Sequence, residues 1–137
     1  MFRTVIFLIF IVPNFMFSQI EKVKTTPEDF QFMSWSIKDF EKSKNNFNYS
    51  IGKSFKNNLH NKYFFEYIPV YRDKTKLVGY SLKFNNTISG EERWIGIPFI
   101  NPNELQNLFE QIMGWTTDER DAFLKSYLLF INSNLLQ

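Results

Sequence analysis

The sequence predicts an α+β domain, and three observations predict it. Leu77–Phe84 alternates with a period of two, so that Val78, Tyr80, Leu82 and Phe84 point one way and Leu77, Gly79, Ser81 and Lys83 the other. Tyr63–Arg72 and Arg93–Ile100, on either side of that run, are rich in the aromatic and β-branched residues that suit a pleated surface. Helix-start signatures lie only outside this block, at Thr26-Pro27-Glu28-Asp29, Asn101-Pro102-Asn103-Glu104 and Thr116-Thr117-Asp118-Glu119. The expected architecture is therefore an N-terminal helix, a three-stranded antiparallel β-meander and a C-terminal αα-hairpin packed on one sheet face.

The first helix is expected from Pro27 to Lys44, because Phe30, Met33, Ile37 and Phe40 make one stripe at helical spacing. Trp35 falls off that stripe, and either widens the buried face or is exposed. The run Asn45–Asn61 is ambiguous: Phe47, Tyr49 and Ile51 alternate like a fourth short strand, and a helical turn is expected at Ser54–Leu59. Asp73-Lys74-Thr75-Lys76 reads as a four-residue hairpin loop. Setting Arg72 opposite Leu77 makes one face wholly apolar and puts Glu66 beside Lys83, an opposite-charge pair. Slipping by one residue would mix the two faces. Trp94 then lands next to Lys83, and Pro98 marks the third strand as an edge or as broken there.

In the closing hairpin, Leu105, Leu108, Phe109 and Ile112 form the apolar stripe of the first helix. Gly114 is placed to end it. The last helix carries Phe123, Leu124, Tyr127, Leu128, Phe130, Ile131 and Leu135 around more than one side, which predicts deep burial.

At 137 residues, with 44% hydrophobic and 22% charged, the chain has the composition of one globular domain. Met1–Ser18 has the pattern of a secretory signal peptide: Arg3, an apolar run Thr4–Val12, a break at Pro13-Asn14 and the small Ser18. The run is too short for a comfortable membrane span, and an uncleaved N-terminal anchor is the competing reading. The expected division is a leader over 1–18 and a single domain over 19–137, secreted or periplasmic, with no stable membrane insertion once the leader is cut. Cysteine is absent, so thiol chemistry, disulfides and Cys-based metal sites are excluded. A net charge of +2 gives no field that selects for nucleic acid. Lysines crowd the first half of the mature chain (Lys38 to Lys62) and acids its end (Glu91 to Asp121), the usual mark of two solvated faces.

No catalytic motif is complete. Gly52-Lys53-Ser54 lacks the glycine, five residues earlier, that a phosphate loop needs, since Phe47 stands there. Ser50-Ile51-Gly52-Lys53 has Ser-x-x-Lys spacing without the companion Ser-Asp-Asn or Lys-Thr-Gly elements. His60 is the only histidine, so no His-x-x-x-His metal pair exists, and neither metal nor cofactor is expected. The hairpin Tyr67–Phe84 resembles the wing of plasmid replication initiators over that hairpin alone. No recognition helix accompanies it.

What the register does assemble is Glu66, Ser81, Lys83 and Trp94, expected side by side on the sheet face away from the helices. A cation over an indole can receive a carboxylate or a sugar edge, and aromatic surfaces anchor interfaces. An ordinary solvent-exposed cross-strand pair is the plainer account of the same residues. The expected function is binding, with another protein as partner, in an inhibitor, immunity or envelope-accessory role. The alternatives are a small hydrolase using paired carboxylates in a cleft, and an apolar-ligand carrier with a cavity among the many phenylalanines.

Overall fold

The computed structural model describes residues 20–39, 48–57, 62–98 and 103–135. Its spine is the hairpin of β4 (Tyr63–Arg72) and β5 (Lys76–Asn86). Two pairs of shorter strands flank it, forming a mixed six-stranded sheet. Beside β4 lie β2 (Tyr49–Ile51) and β3 (Phe55–Asn57), both antiparallel to it. Beside β5 lie β1 (Glu21–Lys22), parallel, and β6 (Glu92–Pro98), antiparallel. The helices are α1 (Pro27–Gln31), α2 (Glu104–Gln111) and α3 (Thr117–Leu135). The α+β class and the β4–β5–β6 meander are those the sequence predicts. Strands β1 and β3 are additions to it. Phe55–Asn57 is a strand rather than a helical turn, because Phe55 and Asn57 pair with Tyr67 and Phe65 and turn toward α3.

The predicted register holds from Tyr63 to Val70: Phe65 faces Phe84, Glu66 faces Lys83 and Tyr67 faces Leu82. It then shifts by one. Val70 pairs with Gly79 and Tyr71 with Leu77, leaving Val78 as the extra residue of a β-bulge. The loop shortens to Asp73–Thr75, with Asp73 and Lys74 both at positive φ. The bulge sends Val78 to the opposite face from Tyr80, Leu82 and Phe84, where it packs with Val70, Tyr49, Phe32, Met33 and Ile37.

The sheet is consequently covered on both faces, which corrects the expectation of helices on one face only. On the first face, Tyr67, Phe65, Leu82, Phe84, Ile95 and Ile97 pack against Leu108, Ile112, Trp115, Phe123, Tyr127 and Phe130. The interior there is filled by rings; Tyr67 stacks on Phe130 at 4.1 Å and Phe84 lies 4.6 Å from Trp115. On the reverse face the N-terminal segment sinks onto Gly79, Ser81 and Gly96. A Cβ on Gly79 would meet Met33 Sδ at 2.8 Å, and one on Gly96 would meet Ser34 Oγ at 2.5 Å. Ser81 donates its hydroxyl to the Met33 carbonyl at 2.8 Å.

That segment is not the continuous α-helix the stripe predicts. Five residues of α1 give way to a π-helical turn, Phe32–Ser36, and a 3₁₀ turn, Ile37–Asp39. The rest of the expected helix, to Lys44, lies outside the described residues, as do Phe47, Leu59, His60, Asn101, Pro102 and residues 1–19. The αα-hairpin is present, but its burial differs from expectation. Leu108 and Ile112 are buried, while Leu105 and Phe109 face outward with Met113; α3 leaves Leu124, Leu128 and Leu129 exposed. None of the described helices is long and apolar enough to cross a membrane.

Strand β6 is an edge, and α2 closes it. The Gln111 side-chain amide accepts from Gly96 N at 2.9 Å and donates to Gly96 O at 2.7 Å, filling the place of one residue of a further strand.

Gly79 has φ +151°, and an added Cβ would lie 2.5 Å from the Ile97 carbonyl oxygen. Gly79→Ala is expected to destabilise the protein by about 1–3 kcal/mol, through the strained backbone and that clash. Gly90→Ala, at φ +75° with open space around it, should cost only about 1 kcal/mol. Urea unfolding midpoints of the two variants measure the difference.

Candidate functional site

Three polar constellations are candidates, and their hydrogen bonds separate them. The first lines a crevice of about 530 Å³ at the hairpin-loop end of the sheet. Its centre is Asp29, fully buried. One carboxylate oxygen accepts from Thr26 N (3.0 Å) and from Arg72 Nη1 (2.6 Å), the other from Tyr49 Oη (2.8 Å). Thr26 Oγ1 accepts from Asp29 N, completing a capping box. Burial and the neighbouring Asp29 carboxylate push the Tyr49 hydroxyl well above the usual phenol range. Asp29 is thus committed to three donors that fasten α1 to β2 and β4. Its chemistry is that of a clamp.

The second is centred on Arg93. Its Nε and Nη2 donate to Glu91 at 2.9 and 2.8 Å, and Nη1 donates to Glu119 at 3.2 Å. The guanidinium lies 5.6 Å from the Phe84 ring and 5.3 Å from Trp115. Glu119 is buried and is itself the capping-box acid of α3, accepting from Thr116 N at 2.9 Å. Burial alone would raise its carboxyl, but the Thr116 amide and the Arg93 guanidinium outweigh that and hold it below the ordinary carboxylate range. This group joins the start of α3 to β6.

The third constellation is the one read from the sequence, and its members divide. Glu66, Lys83 and Trp94 do occupy one cross-strand row, which begins one strand earlier with Lys56: Lys56–Glu66, Glu66–Lys83 and Lys83–Trp94 are successive register pairs. Glu66, Lys83 and Trp94 are half-buried and Lys56 is exposed. Ser81 belongs to the same face but is fully buried beneath Met33. It is a seat for the helix rather than part of an open surface. Side-chain pairing also departs from the register. Lys83 Nζ reaches Glu92 at 3.9 Å and lies 5.7 Å from the Trp94 ring centre, while Glu66 accepts from Ser54 Oγ at 2.8 Å. Trp94 Nε1 donates to Glu92 at 2.6 Å.

What the sequence reading left out is the neighbour of Trp94 across the edge of the helical segment. Trp35 is 76% exposed although it sits between the buried Ser34 and Ile37. The π turn places Met33, Ser34 and Ile37 toward the sheet and leaves Trp35 outward; such turns recur at functional sites. Ser34, Trp35, Ile37, Lys38 and Trp94 line a notch of about 210 Å³. Trp35's absence from the apolar stripe was the signal for it. Its proximity to Trp94 had no signal in the sequence.

Among the described residues, no cluster of three or more His, Asp or Glu side chains stands ready to hold a metal ion. No protein-family model, curated protein or solved structure matches the chain.

Two measurements test the structural roles given to the first two groups. Arg72→Met leaves Asp29 buried without its counter-ion, and should cost about 3 kcal/mol in urea unfolding, the low end for a broken buried pair because Arg72 keeps contact with water. Glu119, its folded pKa depressed, contributes stability that is complete above its ordinary value of 4.5 and lost as pH falls through the folded value. Glu119→Gln should therefore lower the unfolding midpoint at pH 7 and reduce its fall between pH 5 and pH 3. An unchanged acid limb would remove Glu119 from the account.

Proposed function

We propose that the protein is an exported binding protein that holds another protein through the open half of its reverse sheet face. The observation that carries this reading is Trp35. A large indole 76% exposed beside a second, half-buried indole is what interface anchors look like before a partner covers them. Beside the two indoles lie Lys38, Lys83 and Glu92, and Glu66 and Lys56 continue the cross-strand row away from them, giving charges of both signs suited to fixing the partner's orientation. Of the three polar constellations, the other two are engaged in fastening helices to the sheet, which leaves this one for binding. The leader-like pattern of residues 1–18 supports export, to the periplasm or beyond.

The test compares the protein with a Trp35→Ala, Lys83→Ala double variant, chosen because Trp94 contributes to packing and these two do so less. Each is immobilised and exposed to an extract of the producing cells and their medium. The expected result is a protein retained by the parent and lost by the variant, both showing the same thermal unfolding midpoint. Equal retention by the two would exclude this face.

A further inference from the structure

The side chains lining the notch beside Trp35 are richer in donors than in acceptors, and that balance selects a ligand. Ser34 is nine-tenths buried, and its Oγ has no hydrogen-bond partner among the described residues. Such an atom is uncommon, because a buried hydroxyl left unpaired gives up the bonds it had with water. It faces Gly96 in the structure, so a ligand in the notch must draw it round by rotation about its Cα–Cβ bond. Lys38 is exposed at the rim and forms no ion pair with any described residue. The Trp35 indole can donate from Nε1 and cannot accept. Lys83 and Glu92, by contrast, are engaged with each other, and Glu92 also takes the Trp94 Nε1–H. The lining therefore offers an ammonium, an indole N–H and a hydroxyl that can donate or accept, with no carboxylate or amide oxygen from a side chain.

A sugar ring presents several donors and acceptors together and would find one side-chain acceptor, Ser34 Oγ, for its own hydroxyl protons. An anionic acceptor on a slim apolar stem fits better. The stem lies against the indoles and Ile37, and the charge meets Lys38 and Ser34. About 210 Å³ holds one side chain of that kind. We propose that the notch receives a glutamate or aspartate side chain from an acidic segment of the partner protein. The inference rests on the binding role given to this face and names the chemistry that face selects.

The test uses a blocked hexaglutamate peptide, titrated into ¹⁵N-labelled protein while the indole Nε1–H resonances are followed. The three tryptophans separate the outcome. Trp35 and Trp94 should shift, whereas Trp115, buried on the opposite face, should not. Blocked hexaglutamine should leave all three in place, and so should acetate or phosphate at equal concentration, since the stem is part of the recognition. Lys38→Glu should weaken the peptide about tenfold or more, as expected for one charge-assisted contact, with Lys38→Arg close to the parent. Ser34→Ala should weaken the peptide while raising the thermal midpoint, since it deletes an unpaired hydroxyl. A purely structural serine would move only the second readout.

Shifts equal for hexaglutamine, shifts produced by phosphate alone, or a Ser34→Ala protein that binds as the parent does would each overturn the proposal. These outcomes are separable from failure of the binding role. If the Trp35→Ala, Lys83→Ala variant loses its partner while hexaglutamate leaves the indoles unmoved, the face binds and the acidic side chain is wrong.

Discussion

The β-bulge at Val78 is the constraint on which the rest of the molecule depends. Up to Val70 the central hairpin presents one apolar face, with Tyr67, Leu82 and Phe84 turned toward α3. The inserted residue reverses the alternation, so Val78 joins Val70 on the other side and gives the N-terminal segment an apolar floor. Without the reversal, that segment would find only Gly79 and Ser81 opposite Val70. With it, the two ends of one hairpin serve two cores, on opposite faces. Gly79 is where the bulge and the close approach of Met33 coincide, which is why an unsubstituted Cα is needed there.

Around this hairpin four of the six tyrosines act as struts. Each of the four buries its ring and spends its hydroxyl on an element that must be held. Tyr49 donates to Asp29 at the start of α1, and Tyr63 to Asp118 at the start of α3. Tyr67 bonds Ser126 in the middle of α3, and Tyr127 donates to Glu104 at the start of α2. Burial, aided at Tyr127 by the Glu104 charge, drives the Tyr67 and Tyr127 hydroxyls well above the usual phenol range, so they keep their protons throughout the stability range of a protein. In a chain without cysteine, these hydrogen bonds and the Arg93 and Arg72 clusters position helices that a disulfide would otherwise tie.

The sequence disclosed what is local and concealed what depends on contact between distant segments. The period of Leu77–Phe84 located β5, and the choice of register from the Glu66–Lys83 pair was correct as far as Val70. The helix starts at Thr26 and Thr116 were legible because all the atoms that cap them lie within four residues. The bulge was not read, although a glycine inside a strand is a recognised sign of one. The larger misreading was of Gly79 and Ser81, which look like a solvent face because they are small or polar. They are small because a helix backbone rests on them, and Gly96 one strand over completes the trough. Hydropathy cannot distinguish a surface that is bare from one occupied at van der Waals distance by a main chain. Of the four residues picked for a site, the one with the shortest side chain was accordingly the one that proved buried.

The same size gradient accounts for the half of that face that no described element covers. Along the reverse side of β5 the residues run Gly79, Ser81, Lys83, and across β6 they run Gly96, Trp94. A helical segment can lie close over glycine and serine, with a carbonyl within reach of the Ser81 hydroxyl. It cannot continue over Lys83 and Trp94 at that distance, because a long ammonium chain and an indole would occupy the space its backbone needs. The π turn comes at this boundary; it carries Ser34 over Gly96, turns Trp35 outward and brings Ile37 and Lys38 down beside Trp94. The notch is therefore a consequence of the fold's own packing rule, the place where a seat made of small residues ends against the first large ones. The chain has filled that edge with two indoles rather than with the polar residues that would make it inert, and this is the strongest reason to look for what covers them.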